Sequence, residues 1–377
     1  MKIHAQRVLL PEGFAYDRTI TVENGRITGI TAGGQGDVTC HTAVPGLIDE
    51  HVHGGLGADV MNGTPEQLLA WLRFLLQNGV TQVLAGVYTS PVETIRHALA
   101  NLRTVMDMQR LGAGGALLTG VHLEGPFISM DALGAMQGEY VLPPTVENYR
   151  MLTEGYEDMI RLVTLSPETT GAGTLIDELN RQGIPVIAGH TAATAEEGRV
   201  AFEAGVGGVC HFFNASTPIH HRKPGILTEA LLDDRVYCEC ICDFVHVHPS
   251  AVRLIWKNKG AARMIVVSDA VSTTGLPDGV YEDNGIQVRV SHGESRTLDG
   301  HLNGGGSTAI EEVRNLISIG IPEADAFAMA SATPARHLRV EGGAIQPGAR
   351  AEIVCLDEEN RVLCTVLGAR VEKGGRA

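Results

Sequence analysis

The strongest constraint in this sequence is an alternation repeated eight times. Short apolar runs, each closing on polar or glycine residues, are separated by stretches with helical periodicity. The runs cover 44–53, 82–89, 117–128, 159–167, 185–190, 208–215, 237–246 and 264–270. Between them, 65–77 reads as an amphipathic helix opened by Thr64 as N-cap with Pro65 at the first helical position, and 192–204 reads as another. Eight β/α units in succession predict an α/β fold of the (β/α)8 TIM-barrel type.

The two ends of the chain have a different character. Residues 7–10, 18–22 and 26–30 read as short strands, the last two joined by a tight Asn24-Gly25 turn, and 351–356 is the clearest strand of a similar tail. A length of 377 residues accommodates one large barrel with an appendage. The expected division is a small β-sandwich domain built from 1–44 and 343–377, and a barrel from 45 to 342.

Composition narrows the function classes. Hydrophobic residues at 44% and charged residues at 19% suit a globular enzyme. A formal charge of −15 disfavours nucleic acid, which requires a basic face, and any phosphate-bearing substrate must meet a locally basic pocket. Met1 to Arg7 lacks the pattern of a signal peptide, and no stretch is apolar enough to span a bilayer. Seven cysteines, an odd number, argue for reduced thiols. The expectation is a cytoplasmic protein with no membrane partner.

A barrel builds its active site at the C-terminal ends of its strands. Six of the eight runs place metal-binding or acid/base residues there: His51-Val52-His53, His122-Leu123-Glu124, Ala188-Gly189-His190, Cys210-His211-Phe212, Asp243-Phe244-Val245-His246 and Ser268-Asp269-Ala270. Residues two apart on a strand share a face, so His51 and His53 can both aim into the barrel mouth. Imidazole and carboxylate donors of this kind suit zinc, iron or manganese, and an open metal position lowers the pKa of bound water to about 7.

These residues carry a resemblance. The motifs 45–55 (PGLIDEHVHGG), 122–127 (HLEGPF), 189–191 (GHT), 211–215 (HFFNA), 220–225 (HHRKPG), 267–270 (VSDA) and 343–348 (GAIQPG) resemble the metal-dependent amidohydrolases, and within them the N-acetylglucosamine-6-phosphate deacetylases. The first and last motifs are general to the superfamily; HLEGP and HHRxPG are more specific to the deacetylases. The resemblance covers nearly the whole chain and implies deacetylation of N-acetylglucosamine 6-phosphate by a homodimer. It implies one or two divalent metals per subunit: Glu124, His190 and His211 as ligands of the principal metal, His51 and His53 of a second bridged by Glu124 and approached by Asp269, and Asp269 as general base and acid. On the substrate side it implies Ala135, Met136, Asn214, Ala215, His246 and the turn Leu302-Asn303-Gly304, with Arg222 reaching the phosphate across a dimer interface.

The sequence departs from the family in one stretch. Better-known members carry a histidine after HLEGP that polarises the acetyl carbonyl, whereas this chain reads Ala132-Leu133-Gly134-Ala135-Met136-Gln137. Met136 cannot donate that hydrogen bond, so Gln137 or a second metal substitutes, or the substrate differs. The alternatives are an N-acetylgalactosamine-6-phosphate deacetylase, another amidohydrolase, or a noncatalytic barrel. Amidohydrolases that bridge metals with a carbamylated lysine are disfavoured because the fourth run contains no lysine. Cys238, Cys240 and Cys242 alternate and read as small core hydrophobes; His220 and His221 read equally as phosphate-pocket wall or plain loop; His97, His292, His301 and His337 read as structural.

Overall fold

A computed structural model describes residues 1–283 and 285–375. Its centre is one sheet of eight parallel strands in chain order: β1 (Leu47–Val52), β2 (Val80–Tyr88), β3 (Leu117–Glu124), β4 (Ile160–Leu165), β5 (Val186–Ala188), β6 (Gly208–Val209), β7 (Tyr237–Cys240) and β8 (Met264–Val266). Every expected run contributes one strand. The sheet closes where the chain beyond β8 meets β1: Asp269 N–H donates to the His51 carbonyl at 2.9 Å and His53 N–H to the Ala270 carbonyl at 2.8 Å. The strands are buried on both faces because helices cover the outside, so they read as continuous apolar runs.

One end of the barrel interior is sealed by Ile48, Leu84, Leu162 and Ile187 packed against Ala335 and Leu338 of the helix Ala332–Leu338. The strand C-termini at the other end are left to carry polar groups.

The helix Pro65–Gln77 begins as expected: Thr64 accepts from Gln67 N–H, and the Gln67 side chain accepts from Thr64 N–H. The second expected helix starts later, at Ala195, with Thr194 and Glu197 forming the same reciprocal cap. Residues 192 and 193 are withheld from it because Ala192 N–H and the neighbouring Thr191 Oγ1 both donate to Glu168, at 2.6 Å each.

The two termini form a single seven-stranded sheet, with Glu352–Leu356 joining Val38–Pro45 and Lys2–Leu10 beside Gly13–Glu23. It folds back on itself: Ile27 N–H reaches the Ala349 carbonyl and Ala351 N–H reaches Gly25, enclosing a core that includes Ile3, Ile20, Ile353 and Val366. Asn24 and Gly25 both have positive φ, as a tight hairpin turn requires. A three-stranded antiparallel insert, Gly279–Asp283, Ile286–Ser291 and Glu294–Thr297, follows β8 and was not anticipated from the sequence. Among the described residues no helix is long and apolar enough to cross a membrane.

Candidate active site

Six side chains from five strand ends form one cluster with Glu124 at its centre. Its Oε1 lies 3.0 Å from His211 Nε2, 3.2 Å from His190 Nε2 and 3.4 Å from His51 Nε2, and its Oε2 lies 3.4 Å from His53 Nε2. Asp269 Oδ1 is 3.0 Å from His53 Nε2 and 3.6 Å from His51 Nε2. All six are nearly enclosed, Asp269 least so at 15% side-chain exposure. The carboxylate thus faces two histidine pairs, His190 with His211 and His51 with His53, each pair with its nitrogens 3.2 Å apart.

The outer ring nitrogens decide what this cluster can hold. His190 Nδ1 faces the carbonyls of Ala132 and Leu133 at 3.2 and 3.1 Å, His53 Nδ1 the carbonyl of Gly86 at 2.9 Å, and His51 Nδ1 a Glu239 carboxylate oxygen at 3.1 Å. Each of these partners only accepts, so each Nδ1 carries the proton and each Nε2 turns a lone pair inward. Three imidazole lone pairs then face the carboxylates; His211 alone, with no partner on Nδ1, can turn a proton toward Glu124, and Glu124 Oε2 has no hydrogen-bond partner. A divalent cation resolves this, and donors bound tetrahedrally to one ion at ~2.0–2.2 Å lie ~3.3–3.6 Å apart, close to the spacings here.

Burial alone would raise the carboxyls of Glu124 and Asp269. Protonated imidazoles around them, His51 foremost, override it and hold Glu124 well below the usual range and Asp269 down to about 2; a cation held by the same nitrogens would replace those protons and keep both carboxyls ionised.

The backbone bends sharply to place these groups. His190, His211 and Asp269 have φ of +48°, +24° and +48°, a left-handed region that side chains other than glycine rarely adopt. Fixed bonds hold them there: the His190 carbonyl accepts from Ser129 N–H and Ser166 Oγ, both at 3.0 Å, and Asp269 is tied to β1 through its N–H. On β1 a bulge between Asp49 and Val52 shifts the register against β2; His51 lies within it and His53 just past it, and both point inward.

Beneath the cluster lies a buried polar layer whose glutamates, Glu239 and Glu50, sequence reasoning did not assign. Glu239 occupies β7 between Cys238 and Cys240; the two cysteines face the core, as their alternation implied, which turns Glu239 inside. Burial would raise its carboxyl, but the hydrogen bond from His51 brings it down to about 2. His122 is satisfied on both nitrogens, by the Glu50 carbonyl at 3.2 Å and Thr164 Oγ1 at 2.7 Å, and burial with the nearby His51 lowers it to about 3. His337, read as structural, has a specific partner: its Nδ1 is 2.8 Å from Glu50 Oε1.

The substrate-side residues come from several different loops. The loop carrying Ala135 and Met136 leans over His190, and a Cβ on Gly134 would lie 3.3 Å from His190 Cε1 and 3.2 Å from the Ala215 Cβ. Asn214 bonds the His211 carbonyl through Nδ2 at 3.1 Å. His246 Nδ1 donates to Asp243 Oδ2 at 2.6 Å, while Asp243 Oδ1 accepts the backbone N–H groups of Val245 and His246, so Asp243 fixes the imidazole. Leu302-Asn303-Gly304 is held by the insert, with Asn303 Nδ2 on Asp283 and its N–H on Ser295, and adjoins the cluster because Gly305 N–H donates to the Asp269 carbonyl at 2.8 Å. Arg222 stands apart on an exposed loop, its guanidinium 2.8 Å from His221 Nε2, beside the stacked rings of His220 and His221.

The amidohydrolase family model matches residues 42–371, the barrel and part of the terminal sheet. The chain belongs to this family. Among its relatives, the N-acetylgalactosamine-6-phosphate deacetylase of Escherichia coli O157:H7 is 35% identical over 94% of both chains. The N-acetylglucosamine-6-phosphate deacetylase of Vibrio furnissii is 35% identical over 94% of this chain and 90% of its own. In structure, this amidohydrolase is similar to the N-acetyl-D-glucosamine-6-phosphate deacetylase of Mycobacterium smegmatis, with a TM-score of 0.92, 30% identity and 98% and 99% of the two chains covered. A mutant of that enzyme holding N-acetyl-D-glucosamine 6-phosphate superposes with a TM-score of 0.91 at 29% identity over 99% of each chain.

Proposed function

We propose that this amidohydrolase hydrolyses the acetamide of N-acetyl-D-glucosamine 6-phosphate to D-glucosamine 6-phosphate and acetate. The observation that carries this reading is the centre of inward lone pairs around Glu124, in a chain similar end to end to deacetylases of 6-phosphorylated amino sugars. Glu124, His190 and His211 would hold one divalent transition metal, zinc, iron or manganese; His51 and His53 would hold a second, with Glu124 between them. A metal there supplies a Lewis acid that acidifies water and polarises the acetyl carbonyl. Asp269, the most open carboxylate of the cluster, takes a proton from the attacking water and returns it to the sugar nitrogen as the C–N bond breaks.

The loop bearing Ala135 and Met136, with Asn214, Ala215 and the Leu302–Gly304 turn, shapes the sugar pocket, and His246 contacts the sugar or phosphate. Arg222 would act from a neighbouring subunit of a homodimer, since a guanidinium offers a planar pair of donors to phosphate and its own loop is exposed. The division into a terminal domain of 1–44 and 343–377 and a barrel of 45–342 fits the separate cores. A cytoplasmic location fits seven cysteines that are all free.

The E. coli relative named for N-acetylgalactosamine 6-phosphate makes the sugar epimer the point to test. Steady-state kinetics on the two 6-phosphorylated N-acetylhexosamines and their unphosphorylated forms should give the highest kcat/KM with N-acetylglucosamine 6-phosphate. A higher value for the galactose epimer would transfer the assignment, and equal values with and without phosphate would remove it.

A further inference from the structure

Glu239 has no place in the motifs that mark the site, yet it is the carboxylate that fixes His51. It is buried inside the barrel on β7, with Oε2 3.1 Å from His51 Nδ1. The three inward-turned imidazoles differ in how they are held: His190 and His53 lean on backbone carbonyls that belong to the fold, whereas His51 leans on a side chain. The other group near His51 Nδ1 is Cys210 Sγ at 3.5 Å. A thiol is a weak partner, and burial keeps this one protonated.

Glu239 is itself braced. Its carboxyl lies close to that of Glu50, and Glu50 Oε1 is 2.8 Å from His337 Nδ1, in the helix that seals the far end of the barrel. A row of buried polar side chains therefore leads from the barrel's closed end to His51. Glu239 Oε2 also accepts the His211 backbone N–H, at a longer 3.3 Å, which binds it to the main chain of the first histidine pair and not to its imidazole.

We infer that Glu239 is the positioning residue for the second metal, setting its occupancy by fixing the proton on His51 Nδ1 and the ring's aim, while the first metal depends on it far less. This rests on the two-metal reading given above. A carboxylate accepting from the outer nitrogen of a ligating histidine sets its tautomer and raises its basicity, and removing such a partner typically weakens metal affinity 10–100-fold.

The test is metal stoichiometry and affinity, measured by elemental analysis and competition titration with zinc on the full-length protein, for wild type, Glu239→Leu and Glu239→Gln. Cobalt-substituted samples give a visible spectrum that reports ligand geometry directly. Wild type should hold two ions per subunit. Glu239→Leu should keep one tightly and bind the second about 10–100-fold more weakly, with the cobalt spectrum of the first site unchanged. Glu239→Gln should fall between the two, since its amide oxygen still accepts from His51; it also serves as the informative variant if the leucine protein does not fold. Unchanged second-ion affinity in both variants, or equal weakening of both ions, would overturn the inference while leaving two-metal binding intact. A wild-type protein that holds a single ion would overturn the two-metal reading and this inference together.

Discussion

Replacing Glu124 by glutamine separates the bridging carboxylate from its surroundings. The amide keeps the size of the side chain, but its oxygen is neutral and its NH2 group puts a donor where the structure gathers lone pairs. Both histidine pairs meet at this one group, at 3.0–3.4 Å, so Glu124→Gln should impair both ions together. With free zinc at a hundred times the Kd of each site, each bound ion adds ~2.7 kcal/mol to the folded state, and two add ~5.4 kcal/mol. At ~2.1 cal/mol/K of unfolding entropy per residue, a chain of 377 residues changes by ~0.8 kcal/mol per degree, so zinc should raise the wild-type Tm by ~7 °C. Thermal denaturation with and without zinc should show that rise in wild type, about half of it in His53→Ala, and little or none in Glu124→Gln. The metal-free Tm of Glu124→Gln should match wild type within a few degrees. A full zinc-induced rise in Glu124→Gln would refute the placing of Glu124 between two ions.

Other expectations concern the reaction and its substrate. Asp269→Asn should cost ~10²-fold or more in kcat with KM little changed, because an amide cannot take the water's proton; near-normal turnover would remove Asp269 from that role. Arg222→Ala should raise KM for the phosphorylated sugar about 10-fold or more through loss of one charge-assisted bond of ~1.5–3 kcal/mol, and leave an unphosphorylated N-acetylhexosamine unaffected. Mixing Arg222→Ala with Asp269→Asn subunits should restore activity if the arginine crosses between subunits, and no restoration would place it within its own subunit or outside the site. Asp243→Ala releases the His246 ring from its 2.6 Å bond and should raise KM by about 10-fold with a smaller change in kcat; unchanged KM would mean His246 does not touch the substrate.

The barrel was legible because parallel strands covered on both faces must be apolar throughout, and each of the eight runs announced itself that way. The site was legible where chemistry is written locally: His51 with His53 two residues apart, Glu124 after His122, and histidine or aspartate closing β5, β6 and β8. What escaped was the support. Glu239 and Glu168 are single acids with no motif around them, and each has a partner far along the chain, 23 residues away in the pairing of Glu168 with Thr191 and 188 in the pairing of Glu239 with His51. The cysteine alternation on β7 contained the missing signal, because a lone glutamate between two core-facing residues must point the other way, into the barrel. The insert after β8 was missed because its strands are short, half-exposed and polar, and their pairing, like the brace it gives to Asn303, is tertiary.

The central claim is that this metal-ligating centre removes an acetyl group from a phosphorylated amino sugar. Its most direct test is acetate release from N-acetylglucosamine 6-phosphate by protein stripped with a chelator and then titrated with zinc, iron(II) or manganese. The account predicts negligible release from the stripped protein and activity that rises in proportion to ions bound, reaching its plateau at one or two per subunit. Full acetate release by protein shown to contain no metal, or none at any loading with any of the three ions, would contradict it.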